Sequence, residues 1–142
     1  MLEDLQMLSL GGMTKSFTFL PGDDTLPAIV CIHGYCQSGK ETWAALVKRL
    51  RQHVTNTIII VERLPTRHYP YGRTPVQDQI DEMTEIAEAL VQQSYVMPMQ
   101  QIVWVSHSLG AMLARHLTRT YPRKTYGLVQ IAPAPTCGWW IL

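Results

Sequence analysis

The sequence predicts an α/β fold: a mostly parallel sheet with helices on both faces. Three observations carry this. Short, β-branched-rich apolar runs recur at Ala28–Ile32 (AIVCI), Thr57–Val61 (TIIIV), Ile102–Val105 (IVWV) and Gly127–Ala132 (GLVQIA), as strands buried on both faces read. The segments between them place apolar residues at helical spacing, and alternating strands and helices specify parallel crossovers of right-handed sense. Finally, Gln101–Leu117 (QIVWVSHSLGAMLARHL) reads as a buried strand, a sharp turn bearing Ser108, and a helix with Ala111, Leu113, Ala114 and Leu117 on its apolar face.

Residues 1–14 show no clear period and are expected to form a loosely docked arm. Lys15–Leu20 (KSFTFL) alternates polar and apolar, the pattern of a half-buried strand near a sheet edge. Pro21-Gly22-Asp23-Asp24 is a turn cluster. Ala28–Ile32 then runs into His33-Gly34-Tyr35.

Ser38 and Glu41 stand at capping-box spacing, and Trp43, Leu46, Val47 and Leu50 follow as one stripe, so a helix starts here. Lys48, Arg49 and Arg51 suit its C-terminal end. After the strand at Thr57–Val61 comes a loop, residues 62–73, with Pro65, Pro70 and Gly72. Thr74 as N-cap, Pro75 at the first helical position and Gln77 open the next helix. Its buried stripe is Ile80, Met83, Ala87, Leu90 and Val91, with Glu82, Glu85 and Glu88 expected as solvated charges. Pro98 ends that segment before the strand at Ile102–Val105. Tyr121-Pro122 closes the third helix, and Pro133-Ala134-Pro135 stops the last strand.

Length and composition fit one domain. A chain of 142 residues can bury roughly 70% of its unfolded surface. Hydrophobic residues at 46% against 16% charged exclude a disordered chain. A net charge of +1, from scattered basic residues, sets up no field for nucleic acid or acidic membranes. Cys31, Cys36 and Cys137 are too few for a disulfide framework and lack metal-ligand spacing, so neither metal nor cofactor is expected. The acidic N-terminus does not read as a signal peptide, and no run reaches the about 18 apolar residues of a membrane span. A soluble, cytoplasmic protein is the default expectation.

Two loops carry chemistry. His33-Gly34 follows the first buried strand and Ser108 the third, so both lie at the carboxyl edge of a parallel sheet, where such folds bind ligands. A nucleophilic serine needs an exposed Oγ, a base, and N–H groups aimed at the developing oxyanion. The amide of Leu109, at the positive end of the helix after Ser108, is placed to be one donor. The amide of Tyr35, after a flexible glycine, is the candidate for the other.

Ser106-His107-Ser108-Leu109-Gly110 in its strand–turn–helix context, together with the strand ending in His33-Gly34-Tyr35 and Trp43 in the following helix, resembles the α/β-hydrolase family over roughly residues 15–135. The resemblance implies a serine hydrolase acting on ester, thioester or amide bonds. Ser108 would be the nucleophile, Leu109 and Tyr35 the oxyanion amides, and His33 and Gly34 the residues that shape the oxyanion loop. Ser106 and Gly110 would be the small residues of the elbow. It also implies that the strand at Ile29 lies between those at Ile59 and Val103. Ser106 departs from the family's glycine, and the loop after Glu62 lacks the glycine-rich pattern common there.

The family's acid and histidine follow the serine, yet after Ser108 this sequence has no Asp or Glu, and its one His is His116 on the elbow helix. His107 should point away from Ser108, His53 lies at the opposite sheet edge, and His68 is a loop residue on the same edge. The chain therefore reads as a C-terminally incomplete hydrolase, weak or inactive by itself.

Two alternatives remain. Gly34-Tyr35-Cys36-Gln37-Ser38-Gly39-Lys40 matches the G-x-x-x-x-G-K of a phosphate loop, but Glu41 stands where Ser or Thr would hold magnesium. Alternatively the chain is a non-catalytic interaction module that self-associates through the last strand and the apolar terminus Trp139-Trp140-Ile141-Leu142.

Overall fold

A computed structural model of the chain describes residues 5–10, 13–34, 38–63 and 75–133. Its strands are β1 (Leu5–Leu10), β2 (Met13–Leu20), β3 (Ala28–Ile32), β4 (Ile58–Val61), β5 (Ile102–His107) and β6 (Thr125–Ile131). Its helices are α1 (Gly39–Leu50), α2 (Pro75–Gln92) and α3 (Leu109–Thr120). The sheet order is β1-β2-β4-β3-β5-β6, parallel from β4 to β6 and antiparallel at β1 and β2. β3 thus lies between β4 and β5, as the family resemblance implies.

Strand side chains alternate between faces, which splits the core in two. On one face Ile29, Cys31, Ile58, Ile60 and Val105 meet Trp43 and Val47 of α1. On the other, Val30, Ile32, Ile59 and Trp104 meet Met83, Ile86 and Leu90 of α2 and Leu113 and Leu117 of α3. Ile58, Ile59 and Ile60 are all fully buried, which stabilises the fold by about 1.5–3 kcal/mol per side chain relative to exposure.

α1 begins as expected: the Ser38 side chain accepts the Glu41 N–H at 3.1 Å. Thr74, the expected cap of α2, lies outside the described residues. Gln77 donates instead to Asp81 within α2, at 2.8 Å.

Three expectations change. Leu5–Leu10, read as part of a loose arm, pairs with β2 from Leu5↔Thr18 to Leu10↔Met13 and forms the sheet edge. Gln93, just beyond α2, ties this edge down by donating to the Ser9 carbonyl at 2.8 Å. β6, read as fully buried, is a half-exposed edge strand, with Tyr126, Val129 and Ile131 in solvent because no further element covers that part of the α1 face among the described residues. Glu82, read as solvated, is only 9% exposed and pairs with Lys15 of β2 at 2.7 Å. The pair forms because β2 carries a polar residue on the face that α2 covers, and a charge taken out of water requires a partner.

That pair makes a specific prediction. Lys15→Met takes the ammonium away from the buried Glu82 carboxylate and should lower stability in urea unfolding by on the order of 3 kcal/mol. The double variant Lys15→Met/Glu82→Leu should recover most of the loss. A single variant as stable as the parent would show that the pair holds nothing in place.

Candidate active site

Ser108 sits between β5 and α3 with φ 52° and ψ −122°. A non-glycine residue here is strained by about 1–3 kcal/mol and persists only when its surroundings over-determine it. Those surroundings are identifiable. The Ser108 N–H donates to the Ile131 carbonyl at 3.2 Å, and its own carbonyl accepts from Ala111 at 3.0 Å, so both ends of the turn are pinned. Gly110 lies against the end of β3: a Cβ there would sit 2.5 Å from the Ile32 oxygen and 2.7 Å from that of His33. Only glycine lets α3 start so close to β3.

Ser106, fully buried, replaces the expected glycine without an unpaired hydroxyl, since its Oγ donates to the Val129 carbonyl at 3.2 Å. Serine at a helix start usually caps it. Ser108 makes no side-chain capping bond and is partly exposed, so its Oγ is not used to start the helix. Leu109, the first residue of α3, presents its N–H among the unpaired donors at the positive end of the helix.

The register Ile32↔Ser106 brings His33 and Gly34 beside this turn. His33 is 3% exposed. Its Nε2 accepts the Arg63 backbone N–H at 3.1 Å, so Nδ1 carries the proton and donates to the Gly34 carbonyl at 2.9 Å. Burial, then the Arg63 cation, pushes the His33 pKa down to about 4, against the opposing pull of the Gly34 bond and Glu82. Both ring nitrogens are thus engaged by neighbouring backbone groups, and the ring is held in its neutral form.

Arg63, which the sequence reading passed over, reaches beneath the same loop. Its Nη2 donates to the carbonyls of His33 and Gly34, the latter at 2.9 Å, and its Nη1 to Gln79 of α2 at 2.6 Å. Glu62 beside it accepts the N–H groups of Gly39 and Lys40, both at 2.8 Å. Those are the first donors of α1, the ones a phosphate would take. The anion position of the G-x-x-x-x-G-K stretch is therefore filled by the chain's own carboxylate.

A family model described as the alpha/beta hydrolase family matches residues 29–141. The chain belongs to the alpha/beta hydrolase family. Solved structures agree on the fold. A thioesterase domain from the curacin biosynthetic pathway superposes with TM-score 0.70 at 21% identity, covering 96% of this chain and 49% of its own. Alpha/beta hydrolase domain-containing protein 10 from mouse gives TM-score 0.72 at 20% identity, covering 91% and 49%. A laboratory-evolved variant of a potato epoxide hydrolase gives 0.67 at 19%, covering 89% and 38%. The chain thus spans about half the length of these structures or less. No curated protein matches it.

Within this alpha/beta hydrolase, Ser108, Leu109, Gly110, Ser106, His33 and Gly34 come together at the carboxyl edge of β3 and β5. Tyr35 and His68 lie outside the described residues, as do Cys36, Cys137 and the terminal Trp139-Trp140-Ile141-Leu142. His116 is eight residues into the sequence after Ser108, about 12 Å along the axis of α3, with its Nε2 3.3 Å from Thr120 Oγ1. His53 is exposed in the turn after α1. Among the described residues no three His, Cys, Asp or Glu side chains gather to hold a metal. None of the helices there is long and apolar enough to cross a membrane.

His33 makes the stability of this edge pH-dependent. Its folded pKa of about 4 lies below the ordinary 6.5, so in between the unfolded chain binds more protons and stability rises with pH. The contribution is complete above about 6.5 and should fall by on the order of 3 kcal/mol as pH drops toward 4. Urea unfolding of the parent and His33→Asn at pH 7 and pH 4.5 checks this. The parent should lose more stability than the variant, and equal losses would contradict the buried neutral ring.

Proposed function

We propose that this alpha/beta hydrolase carries the nucleophile of a serine hydrolase acting on ester, thioester or amide bonds. One observation carries the reading: Ser108 is held at φ 52° between β5 and α3 with its hydroxyl left out of the helix cap. The thioesterase domain among the structural relatives is named for a bond in this class.

In the proposed reaction, Ser108 Oγ attacks the substrate carbonyl carbon and the carbonyl π electrons move onto its oxygen. The amides of Leu109 and Tyr35 receive that oxyanion, and donors of this kind are worth about 10²–10³ in rate each. Collapse of the intermediate expels the alcohol, thiol or amine and leaves the acyl group on Ser108, which water then removes. The serine proton requires a base. His33 is committed to the loop, and His116 and His53 lie away from the serine. None of these three histidines supplies the base, and the chain as given is expected to turn substrate over weakly or not at all. A non-catalytic role gains no specific observation.

A fluorophosphonate probe tests this on the folded 142-residue chain. Displacement of fluoride by Oγ should add one phosphonyl group, mapped by peptide mass spectrometry to Ser108. Ser108→Ala should abolish the adduct. Equal labelling of both proteins, or no labelling of the folded parent even with excess imidazole supplied as the missing base, would overturn the assignment.

A further inference from the structure

β6 is paired on one side only. β5 lies along that side from Ile102↔Thr125 to His107↔Ile131, and no strand lies beyond β6 among the described residues. The carbonyls of Val129 and Ile131 face β5. The first accepts from Ser106 Oγ and the second from the Ser108 N–H, each at 3.2 Å. Successive residues of a strand direct their backbone groups to opposite sides. The N–H and C=O of Leu128 and Gln130 therefore face the open side.

An open edge is a template for another strand unless lysine, proline or an inward charge blunts it. β6 (TYGLVQI) has none of these. It also concentrates exposed apolar surface. Of the large hydrophobic residues exposed among the described ones, Tyr126, Val129 and Ile131 lie in β6, and Leu26 and Met99 line one hollow with Tyr126. Met7, on β1, is the exception.

We propose that β6 is a dimerisation strand: two copies of this chain pair β6 to β6, antiparallel about Leu128, and join their six-stranded sheets into one. Three features select a second copy as the occupant. Two-fold symmetry makes the contact self-complementary, so a charge on the strand would meet its like; β6 carries none. Leu128 is the midpoint of β6. With the axis there the two strands overlap over their whole length, and Leu128 exchanges N–H···O bonds with the partner's Leu128. The same register sets Val129 opposite the partner's Gly127, a pair without hydrogen bonds whose Cα atoms stand about 4.5 Å apart. A Cβ on Gly127 would meet nothing within 4 Å among the described residues, so the position is a hole. Val129, 47% exposed, is the knob. Both align with β5 residues on the α1 face, Val103 and Val105, so knob and hole share one side of the sheet. The two-fold axis makes this fit twice. The contact does not depend on whether Ser108 reacts.

Sedimentation equilibrium of the full 142-residue chain over a dilution series tests this, with folding of each variant checked by circular dichroism. The parent should fit a monomer–dimer equilibrium. Gly127→Val raises strand propensity, and its Cβ meets no described neighbour in its own chain. It fills the hole, however, and should weaken the dimer by about 10-fold or more. Val129→Gly removes the knob and should weaken it too. The double variant Gly127→Val/Val129→Gly exchanges knob and hole and should bring the dimer back. Val129→Arg sets like charges across the axis and should leave monomers; it carries the comparison if the glycine exchanges do not fold. Met7→Lys on β1 should dimerise as the parent does. A parent that stays monomeric at every concentration would overturn the proposal, as expected if residues after Ile131 cover β6 instead. So would assemblies that grow past the dimer, a dimer that Gly127→Val leaves unweakened or the double exchange fails to restore, or one that Met7→Lys dissociates.

Discussion

The contact between Gly110 and the last carbonyls of β3 is the constraint on which the carboxyl edge depends. With a hypothetical Cβ only 2.5 Å from the Ile32 oxygen, there is no room for any other residue. That closeness draws α3 back over the sheet within two residues of the end of β5. The chain makes so sharp a reversal only by placing Ser108 at positive φ. The strain is thus a consequence of close packing between α3 and β3. Its product is a serine held at positive φ directly before the first amide of a helix. Packing and backbone strain are one arrangement here.

A second layer of the structure is polar and buried or half-buried. Glu62 caps α1, Arg63 bonds the carbonyls after β3, His33 links the ends of β3 and β4, and Lys15 and Glu82 pair between β2 and α2. Buried charges are costly unless their bonds are satisfied. Their gain here is definition: each joins elements distant in sequence at the edge where the serine stands. The same contacts account for the G-x-x-x-x-G-K stretch without a nucleotide, because the Glu62 carboxylate already occupies the amides at the start of α1.

Much of this was legible in the sequence where the signal is local. β3 shows as five apolar residues, and all five are buried. α1 shows through Ser38, Glu41 and the Trp43–Val47 stripe, and the turn between β5 and α3 through Ser108 and Gly110 between an apolar run and a helical one. What escaped depends on partners far along the chain. Glu82 looks like any exposed glutamate of an amphipathic helix until β2 brings Lys15 to it. Arg63 stands at the start of a proline-containing stretch, and its acceptors come from residues 33, 34 and 79. The one available hint was a charged pair, Glu62-Arg63, directly after a fully buried strand. β1 escaped because LQMLSL has neither strict alternation nor a continuous apolar run, and its pairing is supplied by β2.

The claim that close packing forces Ser108 into strain is most directly tested by the unfolding free energies of Ser108→Gly and Ser108→Ala. Both remove the hydroxyl, but only glycine adopts this backbone conformation freely. Relief of about 1–3 kcal/mol of strain, less about 0.5–1 kcal/mol for glycine's added chain entropy, predicts that Ser108→Gly is the more stable by about 1 kcal/mol. A glycine variant equal to or less stable than the alanine variant would contradict the account, for then nothing in the fold would be holding the serine against its preference.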